Sequence, residues 1–348
     1  MPDPRRIMPA EWSNDVASVL IAYPHENTDW AYMLDDARKC FNEIIRSIAE
    51  DAGLTAVVVT PDAAATRALL PSLPADRLCL IELPTDDTWA RDFGPITVKE
   101  GENKKLVDFQ FNGWGLKFAS SNDNLVNMRA YACGAFTMPL ENRRSFVLEG
   151  GSVESDGRGT IMTTSECLLS PNRNGGDTRE EIETALKDTL GADRVLWLDH
   201  GYLEGDDTDS HIDTLARFAN DHTILYVKSY IADDPHNDAL EKMEEQLQTF
   251  TTADGQPYNL IGLPLPDPIY DENGERLPAT YANFLITPTA ILMPVYGQPM
   301  NDELATQMMK IAFPDHKIVG IDCNALIRQH GSLHCVTMQM HAGATAAI

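Results

Sequence analysis

Gly331-Ser332-Leu333-His334-Cys335-Val336-Thr337-Met338-Gln339, close to the C-terminus, reads as one strand carrying one thiol. Side chains alternate along a strand, so Leu333, Cys335 and Thr337 share one face and His334, Val336 and Met338 the other, with Gly331 and Ser332 as the entry loop. A cysteine just inside a strand, behind small residues, presents its sulfur at a strand end, where pockets of α/β proteins lie. By itself the pattern fits a small buried hydrophobe better, the common state of a cysteine.

Upstream, short strands alternate with helices. Residues 16–23 form an apolar strand closed by Pro24, and 35–50 a helix with Ala37, Phe41, Ile44, Ile45 and Ile48 at helical spacing. Strand 54–60, helix 63–70 and strand 78–83 follow. The alternation returns as 106–111, 124–133 and 146–149; as 178–190 with 194–198; as 223–227, 237–250 and 259–263; and as 290–295, 303–313 and 317–321. Five rounds of roughly 60 to 70 residues suggest a repeated α/β supersecondary unit, although no sequence repeat is visible. An open α/β sheet would alternate in the same way, and periodicity leaves both open.

The 348 residues are 43% hydrophobic and carry no stretch resembling a linker, so one domain spanning 1–348 is expected. With 27 basic and 53 acidic residues the net charge is −26, which disfavours nucleic acid and anionic membrane surfaces and attracts a cationic small molecule. The absence of any apolar run near membrane-spanning length, and of an apolar segment after Met1-Pro2-Asp3-Pro4-Arg5-Arg6, implies a soluble, cytoplasmic protein. Six widely separated cysteines without a Cys-x-x-Cys pair fit free thiols in a reducing compartment. A homodimer is compatible with the sequence, which does not fix the oligomeric state.

Five polar clusters break the apolar rhythm. Asp86-Asp87-Thr88-Trp89-Ala90-Arg91-Asp92-Phe93-Gly94-Pro95 is either a charged turn with an internal Arg–Asp pair or part of a site. Phe111-Asn112-Gly113-Trp114-Gly115 sets a tryptophan between two glycines, a poor place for a core residue and a good one for a pocket wall. Val147-Leu148-Glu149-Gly150-Gly151-Ser152 ends an apolar strand with a carboxylate that needs a cation or hydrogen-bond donors. In the fourth cluster, Asp206 to Asp213, an extended 210–218 would put His211 and Asp213 on one face. The Cys335 strand is the fifth. No second histidine stands at helical spacing, and a catalytic metal site has no need of a thiol, so a metal is not expected. A thiol, a histidine and several carboxylates between tryptophan walls suit a planar cation, since guanidinium offers a fork of N–H donors that carboxylates accept in pairs.

Trp89-Ala90-Arg91-Asp92-Phe93-Gly94-Pro95, Phe111-Asn112-Gly113-Trp114-Gly115, Leu148-Glu149-Gly150-Gly151, Thr163-Thr164-Ser165-Glu166-Cys167-Leu168-Leu169, His211-Ile212-Asp213 and His334-Cys335-Val336-Thr337-x-Gln339, with Met8-Pro9-Ala10-Glu11-Trp12, together resemble the agmatine deiminases. These belong to a guanidine-modifying group that includes bacterial peptidylarginine deiminases. The resemblance runs from residue 8 to residue 339 and implies a five-bladed α/β propeller of ββαβ modules, the pentein fold. It also implies hydrolysis of a guanidinium to a ureido group and ammonia without a cofactor. Carried over, Cys335 is the nucleophile, His211 the acid/base, Asp92 and Asp213 the guanidinium-binding carboxylates, Glu149 a further charge in the pocket, and Trp89 and Trp114 its walls. The chain departs from the family pattern at Gln329-His330-Gly331-Ser332, where glycines are usual, at Ser210, where glycine is usual, and at Ala90, where a larger residue is common.

The expected reaction converts agmatine to N-carbamoylputrescine through a covalent thiouronium on Cys335, a step of polyamine biosynthesis. The single arginine of the motifs, Arg91, is expected to pair within its own acidic turn, leaving no partner for the carboxylate of arginine. Glu11, Asp206, Asp207 or Asp209 could form an anionic rim for agmatine's second cation. Alternatives are a peptidyl- or free-arginine deiminase, an amidinotransferase, a metal-dependent amidohydrolase using Asp92, Glu149, His211 and Asp213, and a non-catalytic sensor of cationic metabolites.

Overall fold

The computed structural model describes residues 5–346, so the first four residues of the opening stretch that bears on secretion lie outside the described part. Among the described residues there are five small sheets with one arrangement in common. In each, one strand of an antiparallel pair also pairs in parallel, across a helix, with a third strand. Ile96–Glu100 pairs with Asn103–Gln110, and that strand with Leu140–Val147; Val153–Ser155 with Thr160–Thr164, and that with Arg194–Leu198. Ala216–Asn220, Thr223–Lys228 and Asn259–Pro264 repeat the pattern, as do Leu285–Ile286, Ala290–Val295 and Lys317–Asp322. The fifth sheet joins the two ends of the described chain. Met338–His341 pairs antiparallel with Val16–Ala22, which pairs in parallel with Thr55–Thr60, itself beside Leu78–Glu82.

The helices Val126–Ala132, Arg179–Leu190, Asn237–Leu247, Pro299–Ala312 and Leu34–Glu50 provide the crossovers that parallel pairing requires. They cover the sheets, which is why Val16–Ala22 and Ala290–Val295 read as continuous apolar runs and not as alternating ones. Leu34–Glu50 buries Ala37, Phe41, Ile44, Ile45 and Ile48, each large side chain contributing about 1.5–3 kcal/mol, so packing more than propensity holds it. Arg179–Leu190 starts at a Thr178–Glu181 capping box and stops at Gly191 with φ 75°. No helix among the described residues is long and apolar enough to cross a membrane.

The strand expected over the nucleophile begins only at Met338. Residues 333–336 form a turn, closed by Thr337 N donating to His334 O at 3.0 Å and by the Thr337 hydroxyl to Leu333 O at 3.1 Å. The cause is Asn283, whose side-chain oxygen accepts from the amides of His334 (2.8 Å) and Cys335 (3.2 Å), so neither amide joins a ladder. The extended reading of 210–218 also fails at its start. Ile212–Leu215 is a helical turn with His211 at its N-cap, because the Thr214 amide and hydroxyl both donate to His211 O, the latter at 2.8 Å.

Candidate active site

A cavity of about 150 Å³ is lined by Asp29, Asp87, Trp89, Asp92, Trp114, Phe118, Asp207, Thr208, Gln329, His330, Gly331 and Cys335. Trp89 enters it from the residue before the helical turn Ala90–Phe93, which also carries Asp92. Trp114 reaches it from a left-handed conformation, φ 56°, that the flanking Gly113 and Gly115 share. Gly331 is required beside Trp89, because a Cβ there would collide with the indole ring.

Behind the cavity the carboxylates and the histidine converge on one point. A Cβ added to Gly151 would lie 2.7 Å from His211 Nδ1, 2.8 Å from Asp92 Oδ1 and 3.1 Å from Asp213 Oδ2, so only glycine leaves this point free. Asp92 Oδ2 accepts from Trp114 Nε1 at 2.8 Å, and Oδ1 accepts from Gly151 N at 3.0 Å and lies 3.6 Å from His211 Nδ1. Asp213 Oδ2 lies 2.7 Å from His334 Nδ1 and 4.0 Å from Cys335 Sγ, while Oδ1 is buried without a protein partner. The Cys335 thiol is 3.3 Å from Asn283 Oδ1.

The electrostatics follow from burial. Asp92 is pushed up to about 6, first by desolvation and then by Asp213 and Glu149, against the pull of His211 and Trp114. Desolvation also acts on Asp213, but the hydrogen bond and charge of His334, with His211 and Arg217, hold it below the usual carboxylate range. His211 stays well above its ordinary value, because Asp92, Cys167 and Glu149 outweigh its own burial. Burial, then Asp213 and Asp92, drives the Cys335 thiol well above its ordinary value. Around the mouth, Asp87 is raised to about 7 by burial and by Asp29, and Asp207 to about 6 by burial and by Asp206.

Several sequence-picked residues stand elsewhere than expected. Glu149 does not line the cavity; its two oxygens meet Arg173 Nε at 2.9 and 3.0 Å, the cation that a buried carboxylate requires. Through Glu149 and Cys167, whose ligand atoms lie within 4.8 Å of His211, that pair backs the histidine. Arg91 does not pair within its own turn: it is buried 3.6 Å from Glu11, because the turn's acids accept from the backbone amides of Asn122, Thr88 and Gly151. Glu11 therefore belongs to the interior, not the rim. Of the other rim candidates only Asp207 lines the cavity; Asp206 caps the amide of Ser210 at 2.8 Å, and Asp209 pairs with Arg173 and Lys117, both at 2.6 Å. Sequence reasoning missed Arg173, Asn283, Asp29 and the placing of Asp87. Arg173 was signalled only by the need of Glu149 for a counter-ion, and Asn283 by nothing local. Ser210 stands at φ 57°, which accounts for the glycine of the family pattern. Among the described residues two buried groups have metal-ligand donor sets, Glu149–Cys167–His211 and Glu11–Glu154–His334, and their carboxylates are engaged by Arg173 and Arg217.

The chain is similar over most of its length to several known proteins. A Selenomonas ruminantium protein named "Putative agmatine deiminase" is 32% identical, covering 96% of this chain and 95% of its own. The crystal structure of the "Putative Arginine Deiminase" of Porphyromonas gingivalis is 47% identical with a TM-score of 0.92, covering 98% of this chain and 100% of that one. A C. jejuni agmatine deiminase with a cysteine-to-serine replacement and substrate bound is 35% identical with a TM-score of 0.91, covering 99% and 98%. The family model of the Porphyromonas-type peptidyl-arginine deiminases matches residues 7–340, and this chain belongs to that family.

Proposed function

We propose that this protein is an agmatine deiminase, a hydrolase of the C–N bond of a linear amidine, with one catalytic domain over residues 1–348. The observation that carries the substrate is the make-up of the cavity: Asp29, Asp87, Asp92 and Asp207 line it together with Trp89, Trp114 and Phe118, and no lysine or arginine does. A guanidinium meets Asp92 and the free Oδ1 of Asp213, the methylene chain meets the aromatic walls, and the distal ammonium meets the outer aspartates. An α-carboxylate, as in arginine, would meet aspartates at the mouth and no lysine or arginine among the lining residues.

In the proposed chemistry the guanidinium bound between Asp92 and Asp213 offsets the charges that hold the Cys335 proton, the thiol releases that proton to solvent, and the thiolate adds to the guanidinium carbon. His211, with Nδ1 toward the carboxylates, gives its proton to one amino group. That group leaves as ammonia, the C–N bond breaks, and a thiouronium remains on Cys335. Water then adds to the same carbon as His211 takes one of its protons, the C–S bond breaks as the remaining hydroxyl proton passes to the sulfur, and N-carbamoylputrescine departs with the thiol restored. Glu149 and Arg173 act on His211 from behind. No cofactor, metal, nucleic acid or membrane enters this scheme. The five matching sheets support a five-bladed α/β propeller of ββαβ modules. A cytoplasmic place in polyamine synthesis fits a metabolite substrate, and homodimerisation is compatible with the scheme.

The test is ammonia release from agmatine, free arginine and an arginine-containing peptide. A kcat/KM for agmatine well above the others is expected; arginine or peptide equal or better overturns the substrate, and no release from any of them overturns the chemistry.

A further inference from the structure

Met8-Pro9-Ala10-Glu11-Trp12 stands out in the sequence, yet nothing in the cavity uses it. The structure places Glu11 in the interior. Its Oε2 lies 2.8 Å from His334 Nε2 and 3.0 Å from Arg217, and its Oε1 accepts from the amide of Ile286 at 2.7 Å. The other nitrogen of the same ring, His334 Nδ1, lies 2.7 Å from Asp213 Oδ2. Glu11, His334, Arg217 and Asp213 are all less than a tenth exposed. One imidazole thus bridges the N-terminal segment to the carboxylate beside the nucleophile.

We propose, on the deiminase reading above, that His334 and Glu11 are positioning residues for Asp213. A carboxylate beside a reacting carbon has two oxygens and a rotatable Cβ–Cγ bond, and it presents one chosen oxygen only if the other is held. His334 holds Oδ2, which leaves Oδ1 as the buried oxygen without a protein partner. His334 is itself fixed from behind by Glu11, and Glu11 by Arg217, whose Nη1 is anchored to the carbonyls of Ala282 (3.2 Å) and Phe284 (2.6 Å) on either side of Asn283. Asn283 takes the amides of His334 and Cys335, so the nucleophile, the aspartate and the bridge share one support. Holding a group within a fraction of an ångström is what such a support contributes to a reaction.

The test compares His334→Ala, His334→Asn and Glu11→Gln, each checked for folding by thermal denaturation. Asparagine can still donate to Asp213 but cannot reach Glu11. Expected for agmatine are a fall in kcat/KM of about a hundredfold in His334→Ala, partial recovery in His334→Asn, and a fall of about tenfold in Glu11→Gln, with kcat reduced more than KM is raised. Alkylation of Cys335 supplies a readout that does not need turnover. Neutral iodoacetamide should react at nearly the wild-type rate in every folded variant, whereas a haloacetamidine, whose cation needs both aspartates, should slow by about tenfold or more. Haloacetamidine and iodoacetamide rates falling together, or kcat/KM within threefold of wild type in Glu11→Gln, overturn the proposal. If a His334 variant does not fold, Glu11→Gln decides by the same two measurements. A wild-type protein that releases no ammonia overturns the deiminase reading, while the ratio of alkylation rates still judges the positioning.

Discussion

Trp114 donates its indole N–H to Asp92 Oδ2 over 2.8 Å, from a backbone held at φ 56° between two glycines. The tryptophan is therefore both a wall of the cavity and the anchor of a carboxylate within it. Replacing it with phenylalanine keeps the wall, leaves the backbone requirement unchanged and removes the donor. A hydrogen bond to a charged group is worth about 1.5–3 kcal/mol, so kcat/KM for agmatine should fall about ten- to a hundredfold in Trp114→Phe. Steady-state kinetics decide it: a variant within threefold of wild type would show that Asp92 is held by Gly151 alone.

The rim carries its own pH dependence. Asp87 is raised to about 7 by burial and by Asp29, so it gains a proton as pH falls through that value and then no longer attracts an ammonium. Bound agmatine opposes that protonation. KM for agmatine is expected to rise as pH falls from about 8 to about 6, and in Asp87→Asn to be higher but flatter over the same range. Equal slopes for the two proteins would remove Asp87 from the rim.

The repeated strand and helix rounds were legible because sheets covered by helices leave continuous apolar runs, as in Thr55–Thr60 and Ala290–Val295. The antiparallel partners Val153–Ser155 and Leu285–Ile286 were not, since two or three residues make no period. Asp92, Asp213, His211 and Cys335 could be named from their motifs; the first three meet beside Gly151, and Cys335 Sγ lies 4.0 Å from Asp213 Oδ2. The turn at Cys335 was illegible for a physical reason: its amides are taken by Asn283, which lies 52 residues earlier. Glu11 was misplaced likewise, because an acidic residue in a short N-terminal segment reads as exposed until Arg217 and His334 are found around it.

Stability should depend on His341, which is buried with neither ring nitrogen bonded. Desolvation, with Lys99 and Lys104 nearby and Asp15 opposing them, lowers it to about 4. Its unfolded value is near 6.5, so between these values the unfolded chain binds more protons and folding is weakened as pH falls. The contribution is on the order of 3 kcal/mol at most. Buried carboxylates such as Asp92, raised to about 6, act in the opposite sense, but they are common to wild type and variant. Denaturant unfolding at pH values near 7 and 4.5 should therefore show a smaller loss in His341→Leu than in wild type. Parallel losses would mean that the ring does not titrate in this range.

The last expectation concerns how Cys335 becomes a nucleophile. Burial, Asp213 and Asp92 all oppose its thiolate, so the free enzyme at neutral pH should hold the thiol protonated. A guanidinium between the two aspartates offsets their charge at the moment the thiolate is needed. Alkylation by iodoacetamide should then be slow near pH 7 and still rising above about 9, whereas a cationic haloacetamidine should react far faster than its reactivity toward a free thiol predicts. The Cys335→Ala protein should remain folded, since a small side chain is lost, and should lose turnover by at least about a thousandfold, because no other group can form the covalent intermediate. An iodoacetamide profile levelling off below pH 7 would replace this account with a thiolate preformed by His211, the pairing that the raised histidine would then serve.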